Sequence, residues 1–279
     1  MIHLKQKSFL ALVALLFSLV PEVSADILVY NTVPSPLPTN IPSFSYEATA
    51  TSEFGQGVSL ASGSTTLSTA QVVLSDWAME STYETIGMST GFYVPLTLNL
   101  YDVGAGDSVG SLFASYTIDP EILWRPEASV GCGTAFLGTN GNCYNGLAQV
   151  VTFDLGTLTV PGQFIYGLSF NTTDYGVTPT GVSEPYDSLN FGLLGNGVGT
   201  VTPSIGSDLV ANSAYLDTSD AGNYGDGGAG GVGAFRLDAN DWQGYDPAVS
   251  FSTPEPSAIT LAMLAGAVIL LSRKKLRTL

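Results

Sequence analysis

The stretch FIYGLSFN, residues 164–171, has a large apolar side chain at every second position, starting with Phe164. Side chains of a β-strand point alternately to the two faces of a sheet, so this period of two predicts a strand with one buried face. The same alternation recurs in residues 44–51, 96–101 and 151–155. A period of 3.6, which would indicate amphipathic helices, hardly appears between residues 26 and 253. These four segments therefore predict half-buried β-strands.

Shorter apolar or β-branched runs continue this pattern along the chain. They occupy residues 27–30, 67–74, 112–118, 188–193, 214–217, 234–238 and 249–252. Turns that contain Gly or Pro, such as residues 103–107 and 160–162, separate most of the runs. About ten short strands with one buried face each need a second sheet to cover them. The sequence therefore predicts an all-β fold for residues 26–253, a single β-sandwich of jelly-roll or Greek-key type.

A proline-rich segment precedes the first long predicted strand, with Pro34, Pro36, Pro38 and Pro42. Proline restricts the backbone and favours an extended conformation. We therefore expect an extended arm here. The pattern leaves two placements open, against a sheet edge or free of the sheet.

The charged residues are few and unevenly placed. The chain of 279 residues has 24 Asp and Glu, 8 Lys and Arg, and 32 glycines, a composition that suits a turn-rich β protein. Between residues 26 and 253 the only cationic side chains are Arg125 and Arg236, and no His or Lys occurs there. Nucleic-acid binding needs several basic contacts, so this partner is excluded. Catalysis by a His base or a Lys nucleophile is excluded with it.

The N-terminus has the order of features found in a secretory signal peptide. Lys5 and Lys7 precede an apolar run over residues 9–20, and small residues follow up to Ala25. This apolar run is too short to span a bilayer comfortably. We expect a signal peptide over residues 1–25, cleaved by signal peptidase after Ala25, so that Asp26 begins the exported domain 26–253.

The C-terminus combines a short motif, an apolar run and a basic end. Pro254, Glu255 and Pro256 precede an apolar stretch over residues 258–271, and four Lys or Arg residues lie within 273–277. At 1.5 Å per residue this stretch spans about 21 Å of a hydrocarbon core about 30 Å thick. We therefore expect a short transmembrane helix at 258–272. Its basic end would stay in the cytoplasm, which places residues 26–253 on the other side of the membrane.

Motif, short helix and basic end together resemble the PEP-CTERM sorting tail of exported bacterial proteins, over residues 254–279 only. The resemblance implies recognition by an exosortase-type transpeptidase at Pro254, Glu255 and Pro256. It also implies initial anchoring in the inner membrane, followed by transfer to the cell surface or an extracellular exopolysaccharide matrix. The alternative is a plain single-span anchor in which the tripeptide occurs by chance.

Two cysteines, Cys132 and Cys143, lie in a loop rich in Gly and Asn. In an exported chain, two cysteines this close in sequence predict a disulfide that closes the loop. Metal binding is the alternative, although with no His it would need carboxylate ligands.

Calcium is the one cofactor that the acidic residues suggest, because Ca²⁺ prefers several oxygen ligands in a glycine-permitted turn. Asp217, Asp220 and Asp226 border or lie in a glycine-rich run and are weak candidates. A second set consists of Asp238, Asp241 and Asp246. Neither set has the spacing of an EF-hand loop. The alternative is a group of solvated loop acids.

Trp242 and Tyr245 form the best candidate for stacking against sugar rings, since Asn240, Asp241 and Gln243 beside them could bind hydroxyl groups. Trp77 and Trp124 come next, and the alternative for each aromatic residue is a place in the core.

A glycoside hydrolase would need two suitably spaced carboxylates, and Glu121 and Glu127 are the candidates. Arg125 lies between them in sequence, and we expect it either to pair with one of them or to position a loop. The sequence predicts a structural or adhesive protein of an exopolysaccharide matrix, without enzymatic activity. A carbohydrate-binding module is the alternative, and a glycoside hydrolase is the third possibility.

Overall fold

The computed structural model describes residues 26–61, 66–83, 90–171 and 188–254. In chain order its strands are β1 Ile27–Asn31, β2 Ser43–Ser45, β3 Thr51–Ser59, β4 Thr66–Asp76, β5 Gly91–Tyr93, β6 Leu96–Val103, β7 Val109–Ile118, β8 Glu121–Leu123, β9 Phe136–Leu137, β10 Cys143–Tyr144, β11 Leu147–Thr159, β12 Gln163–Ser169, β13 Leu189–Gly195, β14 Ser207–Asp208, β15 Ala214–Thr218, β16 Arg236–Asp238, β17 Tyr245–Pro247 and β18 Val249–Thr253. Single 3-10 turns occur at Glu80–Thr82, Ala105–Asp107 and Ala221–Asn223.

The predicted signal peptide 1–25, the predicted helix 258–272, and Glu255 and Pro256 of the motif lie outside these residues. Within the described ranges, no helix has the length and apolar character needed to cross a membrane.

Two seven-stranded sheets make up most of the structure. Sheet A has the order β1-β18-β4-β13-β17, with β11 also beside β4 and β2 beside β13. Sheet B has the order β16-β15-β3-β12-β6-β7, with β14 also beside β3. The pairings of β4 with β11 and of β3 with β12 are antiparallel, as are the others with a described register. The prediction of an all-β fold is confirmed.

Aromatic side chains from the two sheets meet in one hydrophobic core. The ring centroids of Phe54 on β3 and Phe191 on β13 are 5.5 Å apart. Phe164 on β12 lies 5.1 Å from Phe251 on β18, again between rings of different sheets. These side chains are fully buried, and each contributes roughly 1.5–3 kcal/mol through the apolar surface it removes from water.

The predicted strand over residues 44–51 is wrong. Strand β2 ends at Ser45, residues 46–50 form a turn, and β3 begins at Thr51. The Thr51 N–H closes the turn by donating to the Tyr46 carbonyl oxygen at 2.9 Å, and Ala50 has a φ of 50°. Tyr46 packs in the core although it belongs to a turn, and its hydroxyl donates to the Leu168 carbonyl oxygen at 2.6 Å. An apolar residue in this segment therefore does not require a strand.

The proline-rich arm packs against sheet A, which decides between its two predicted placements. Ile41 is buried with Val73 and Ala148, and Val33 and Leu37 of the arm pack against the same small cluster. Backbone hydrogen bonds fix the arm as well, since the Ala148 N–H donates to the Thr39 carbonyl oxygen at 2.9 Å. The arm therefore covers apolar side chains of sheet A.

The predicted disulfide is confirmed. Cys132 and Cys143 are bonded, with their Cα atoms 5.5 Å apart. In the chain-entropy view, closing this loop stabilises the fold by roughly 3 kcal/mol. The loop is also held by buried Arg125, which donates from Nε to the Trp77 carbonyl oxygen at 2.8 Å and from a terminal nitrogen to that of Thr134 at 3.0 Å. Arg125 therefore positions a loop.

Candidate functional site

An open cleft of about 430 Å³ contains both of the aromatic residues predicted to stack against sugars. Four segments that are distant in sequence contribute to it: Pro42 with the adjacent β2, then β13, the 3-10 turn Ala221–Asn223 and residues 241–245. Its lining consists of Pro42, Ser43, Phe44, Leu193, Gly222, Asn223, Asp241, Trp242 and Tyr245. The cleft thus has an aromatic wall and a polar rim.

Trp242 forms the aromatic wall while most of its ring belongs to the core. Only 9% of the residue is exposed, and its ring centroid lies 5.2 Å from that of Phe44 and 4.8 Å from that of Phe54. The indole N–H donates to Asp238 Oδ2 at 2.9 Å. Burial raises the pKa of Asp238, although the hydrogen bonds from Trp242 and the Gly225 N–H oppose this shift. Trp242 is therefore a core residue that also lines the cleft, and its stacking against sugar rings stays a prediction.

Tyr245 is half-buried and more accessible than Trp242. Its backbone N–H donates to the Trp242 carbonyl oxygen at 3.1 Å, which fixes the two aromatic residues relative to each other. Gly197 lies beside the Tyr245 hydroxyl: a Cβ atom at that position would be 2.9 Å from it. A side chain on residue 197 would therefore press on the tyrosine ring.

Polar side chains on the rim of the cleft differ in whether they already form hydrogen bonds within the protein. Asn223 donates from Nδ2 to the Thr49 carbonyl oxygen at 2.7 Å. Asp241 is exposed, and its carboxylate accepts no hydrogen bond from the described residues. Asn240 and Gln243 are exposed and do not line the cleft. Asp241 is therefore the rim group most available to a ligand hydroxyl.

The other two tryptophans lie outside the cleft. Trp77 is 44% exposed and its indole N–H donates to Ser75 Oγ at 3.1 Å. Trp124 is buried, with its ring centroid 5.0 Å from that of Phe92. Trp77 is thus a surface residue, whereas Trp124 is a core residue.

The calcium candidates Asp217, Asp220 and Asp226 are not brought together. Asp226 pairs with Arg236 at 2.8 Å, which lowers the pKa of this carboxyl, and Asp220 accepts from the Gly222 N–H at 2.9 Å. Across residues 26–61, 66–83, 90–171 and 188–254, no three His, Cys, Asp or Glu side chains are grouped so that together they could hold a metal ion. Two of these three carboxylates have local partners, and calcium binding here stays a prediction.

In the second set of calcium candidates, Asp238 and Asp241 both lie beside Gly225, whereas Asp246 lies apart from them. Asp238 binds Trp242, Asp241 lies on the rim of the cleft, and Asp246 is buried between the sheets.

The carboxylates proposed for hydrolysis lie elsewhere and are engaged with nearby hydroxyl groups. Glu121 accepts from the Thr90 hydroxyl, and Glu127 accepts from Ser81 Oγ at 2.9 Å. Neither glutamate lines the cleft, where Asp241 is the one carboxylate among the described lining residues.

Comparisons with known proteins add no relative. No family model matches the chain, and neither the curated proteins nor the solved structures contain a match.

Proposed function

We propose that this chain is an exported protein of the cell surface or extracellular matrix, sorted through a PEP-CTERM-type tail at residues 254–279, whose cleft binds neutral sugar units of an exopolysaccharide. The aromatic cleft with its polar rim is the observation that carries the proposal. Binding would make the protein an adhesive component of the matrix.

The chemistry of the cleft favours a sugar over a purely apolar ligand. Sugar rings present C–H groups on one face, which pack on Tyr245 and the edge of Trp242, and hydroxyl groups around the rim. Asp241 and Ser43 offer oxygen atoms to those hydroxyls. The volume of about 430 Å³ is within the usual range for small-molecule sites.

The charge of the domain favours neutral sugars. Residues 26–253 carry only two arginines against an excess of acids, and Asp241 lies at the cleft itself. An acidic polysaccharide would be repelled unless divalent cations bridged it to the protein.

The proposal includes binding and no reaction. Glycoside hydrolysis generally uses two carboxylates on either side of the scissile bond. Asp241 has no second carboxylate beside it among the described lining residues.

The scaffold of this proposal is a β-sandwich of jelly-roll or Greek-key type. Two features support it: the first and last strands, β1 and β18, are neighbours in sheet A, and the two sheets share one core. Such a scaffold holds β2, β13 and β17 rigidly where they form the cleft.

Retention on the exopolysaccharide of the source organism tests the cleft. Tyr245→Ala and Asp241→Ala should each reduce binding of the full chain by about tenfold, since a ring contact or a ligand hydrogen bond typically contributes near 1.4 kcal/mol. Affinity electrophoresis with and without a chelator measures this loss.

Tyr93→Ala is the matched control, because Tyr93 is 51% exposed and does not line the cleft. Equal retention of all three variants would exclude the cleft as the sugar site. If the unaltered chain loses its retention when chelator is added, the binding would instead depend on bridging cations.

Intact-mass measurement on envelope fractions tests the sorting proposal. We expect the mature protein to begin at Asp26 and to end near Pro254, Glu255 and Pro256, because signal peptidase and a transpeptidase would remove both ends. A stable species that still carries residues 273–279 as the only form would instead indicate a plain membrane anchor.

A further inference from the structure

A polar cluster lies inside the protein where sheets A and B face each other. Sheet A contributes Tyr30 and Asp246, and sheet B contributes Gln56, Tyr166 and Asp208. The Tyr30 hydroxyl donates to Asp208 Oδ1 at 2.7 Å, and Gln56 Nε2 donates to Asp246 Oδ1 at 3.5 Å. Each of the two carboxyl groups is therefore hydrogen-bonded to a residue of the other sheet.

Two oxygen atoms of this cluster have no hydrogen-bond partner among the described residues. They are Asp246 Oδ2 and the Tyr166 hydroxyl, on residues that are 1% and 0% exposed. Native proteins rarely leave a buried polar atom without a hydrogen-bond partner, because its desolvation is then uncompensated.

The carboxyl groups of the cluster also lack a cationic partner in the described part of the chain. Arg125 is bound to backbone carbonyls, and Arg236 pairs with Asp226. Burial together with their mutual repulsion raises the pKa of Asp246, and burial raises that of Asp208. Two carboxylates in this environment require neutralisation, and Asp208 is only half-buried, which leaves a route from solvent.

We propose that Asp208, Asp246 and the Tyr166 hydroxyl bind a divalent cation of the calcium type between the two sheets. All of these donors are oxygen atoms, which hard cations prefer, and two carboxylates balance a charge of two. Backbone carbonyls or water would complete the coordination.

The cation would join sheet A to sheet B, so its removal should lower thermal stability. The full chain, treated with EDTA and then returned to excess CaCl₂, should melt about 5–10 °C higher with calcium when the ion is present at a hundredfold its Kd. Terbium chloride gives a second readout, because tyrosine excitation sensitises emission from Tb³⁺ bound nearby. Tyr30 and Tyr166 should produce this emission, and added Ca²⁺ should quench it.

Asp246→Asn tests the site without removing a side chain from the core. Asparagine has nearly the same size and relieves the repulsion between the carboxylates, so the variant should fold in EDTA. We expect it to lose the calcium-dependent shift in melting temperature and to bind Tb³⁺ at least a hundredfold more weakly. Asp102→Asn is the matched control, since Asp102 is an exposed strand residue, and it should behave like the unaltered chain.

Two outcomes would overturn the proposal. An unaltered chain that melts at the same temperature in EDTA and in CaCl₂, without quenchable terbium emission, would mean that the carboxyl pair is neutralised by a shared proton. Full calcium and terbium responses in Asp246→Asn would place the cation elsewhere among the surface acids.

Discussion

Gly55→Ala is expected to lower the melting temperature of the protein by about 10 °C or more, a loss on the order of 4 kcal/mol. A Cβ atom at Gly55 would lie 1.9 Å from the Tyr166 carbonyl oxygen and 2.7 Å from its carbon, both in the backbone of β12. Strand β12 is paired with β3 on one side and with β6 on the other, so it cannot move away without breaking one of these pairings. The substitution should therefore distort the centre of sheet B.

Gly162→Ala is the matched control, because a Cβ atom there would meet nothing within 4 Å and its φ is not positive. Thermal melts followed by far-ultraviolet circular dichroism compare the two variants with the unaltered chain. We expect Gly162→Ala to change the melting temperature little. A Gly55→Ala protein as stable as this control would show that β3 and β12 can separate at no cost.

Strand β3 also shows where prediction from sequence stops. Alternation predicts β6, which buries one face, and it also locates β12 and β18, although these two strands bury residues on both faces. Strand β3 is not among the strands predicted from the sequence, and its Gly55 and Gly57 are residues typical of turns. In the structure both glycines let neighbouring atoms come close to the backbone of β3. A Cβ atom at Gly57 would lie 2.8 Å from a side-chain carbon of Leu209. That constraint comes from partners distant in sequence and cannot be recognised in the strand itself.

The candidate site was only partly predictable for the same reason. Trp242, Asp241 and Tyr245 are near neighbours in sequence, so their composition alone suggested a sugar-binding cluster. Ser43 and Asn223 reach the same cleft through the pairing of β2 with β13 and through a turn after β15. Local sequence contains no sign of such long-range pairing.

The interior carboxyl groups were harder still to predict. Asp246 is close in sequence to Asp238 and Asp241, whereas in the fold its carboxylate accepts a hydrogen bond from Gln56 on the facing sheet. Alternation predicts which strand positions are buried. It does not identify which buried polar residues from two sheets will meet.

Trypsin is expected to leave residues 26–253 uncut under native conditions. The two possible sites are poor substrates for different reasons. Arg125 precedes proline, and it is buried with its guanidinium hydrogen-bonded to backbone carbonyl oxygens. Arg236 lies in β16 and is only partly exposed. The Arg236 guanidinium forms an ion pair with Asp226 at 2.8 Å and donates a hydrogen bond to the Gly231 carbonyl oxygen at 2.9 Å. It also lies 3.8 Å from the Tyr224 ring centroid. A protease must extract this side chain and unpair the strand before cleavage.

In partially denaturing urea the same protease should cut residues 26–253 only after Arg236, which leaves one large fragment, 26–236, and one short fragment, 237–253. A chymotrypsin-type protease should degrade the chain extensively under those conditions, because the sequence contains 13 Phe and 13 Tyr. Val198→Lys is the positive control: Val198 is 75% exposed in a loop and is followed by glycine, so the variant should be cut there in the native state, at least a hundredfold faster than at Arg236. Rapid native cleavage at Arg236 in the unaltered chain, measured by mass spectrometry of the fragments, would show that β16 and its guanidinium contacts open readily. Any remaining resistance to trypsin would then come from the scarcity of basic residues and not from the structure around Arg236.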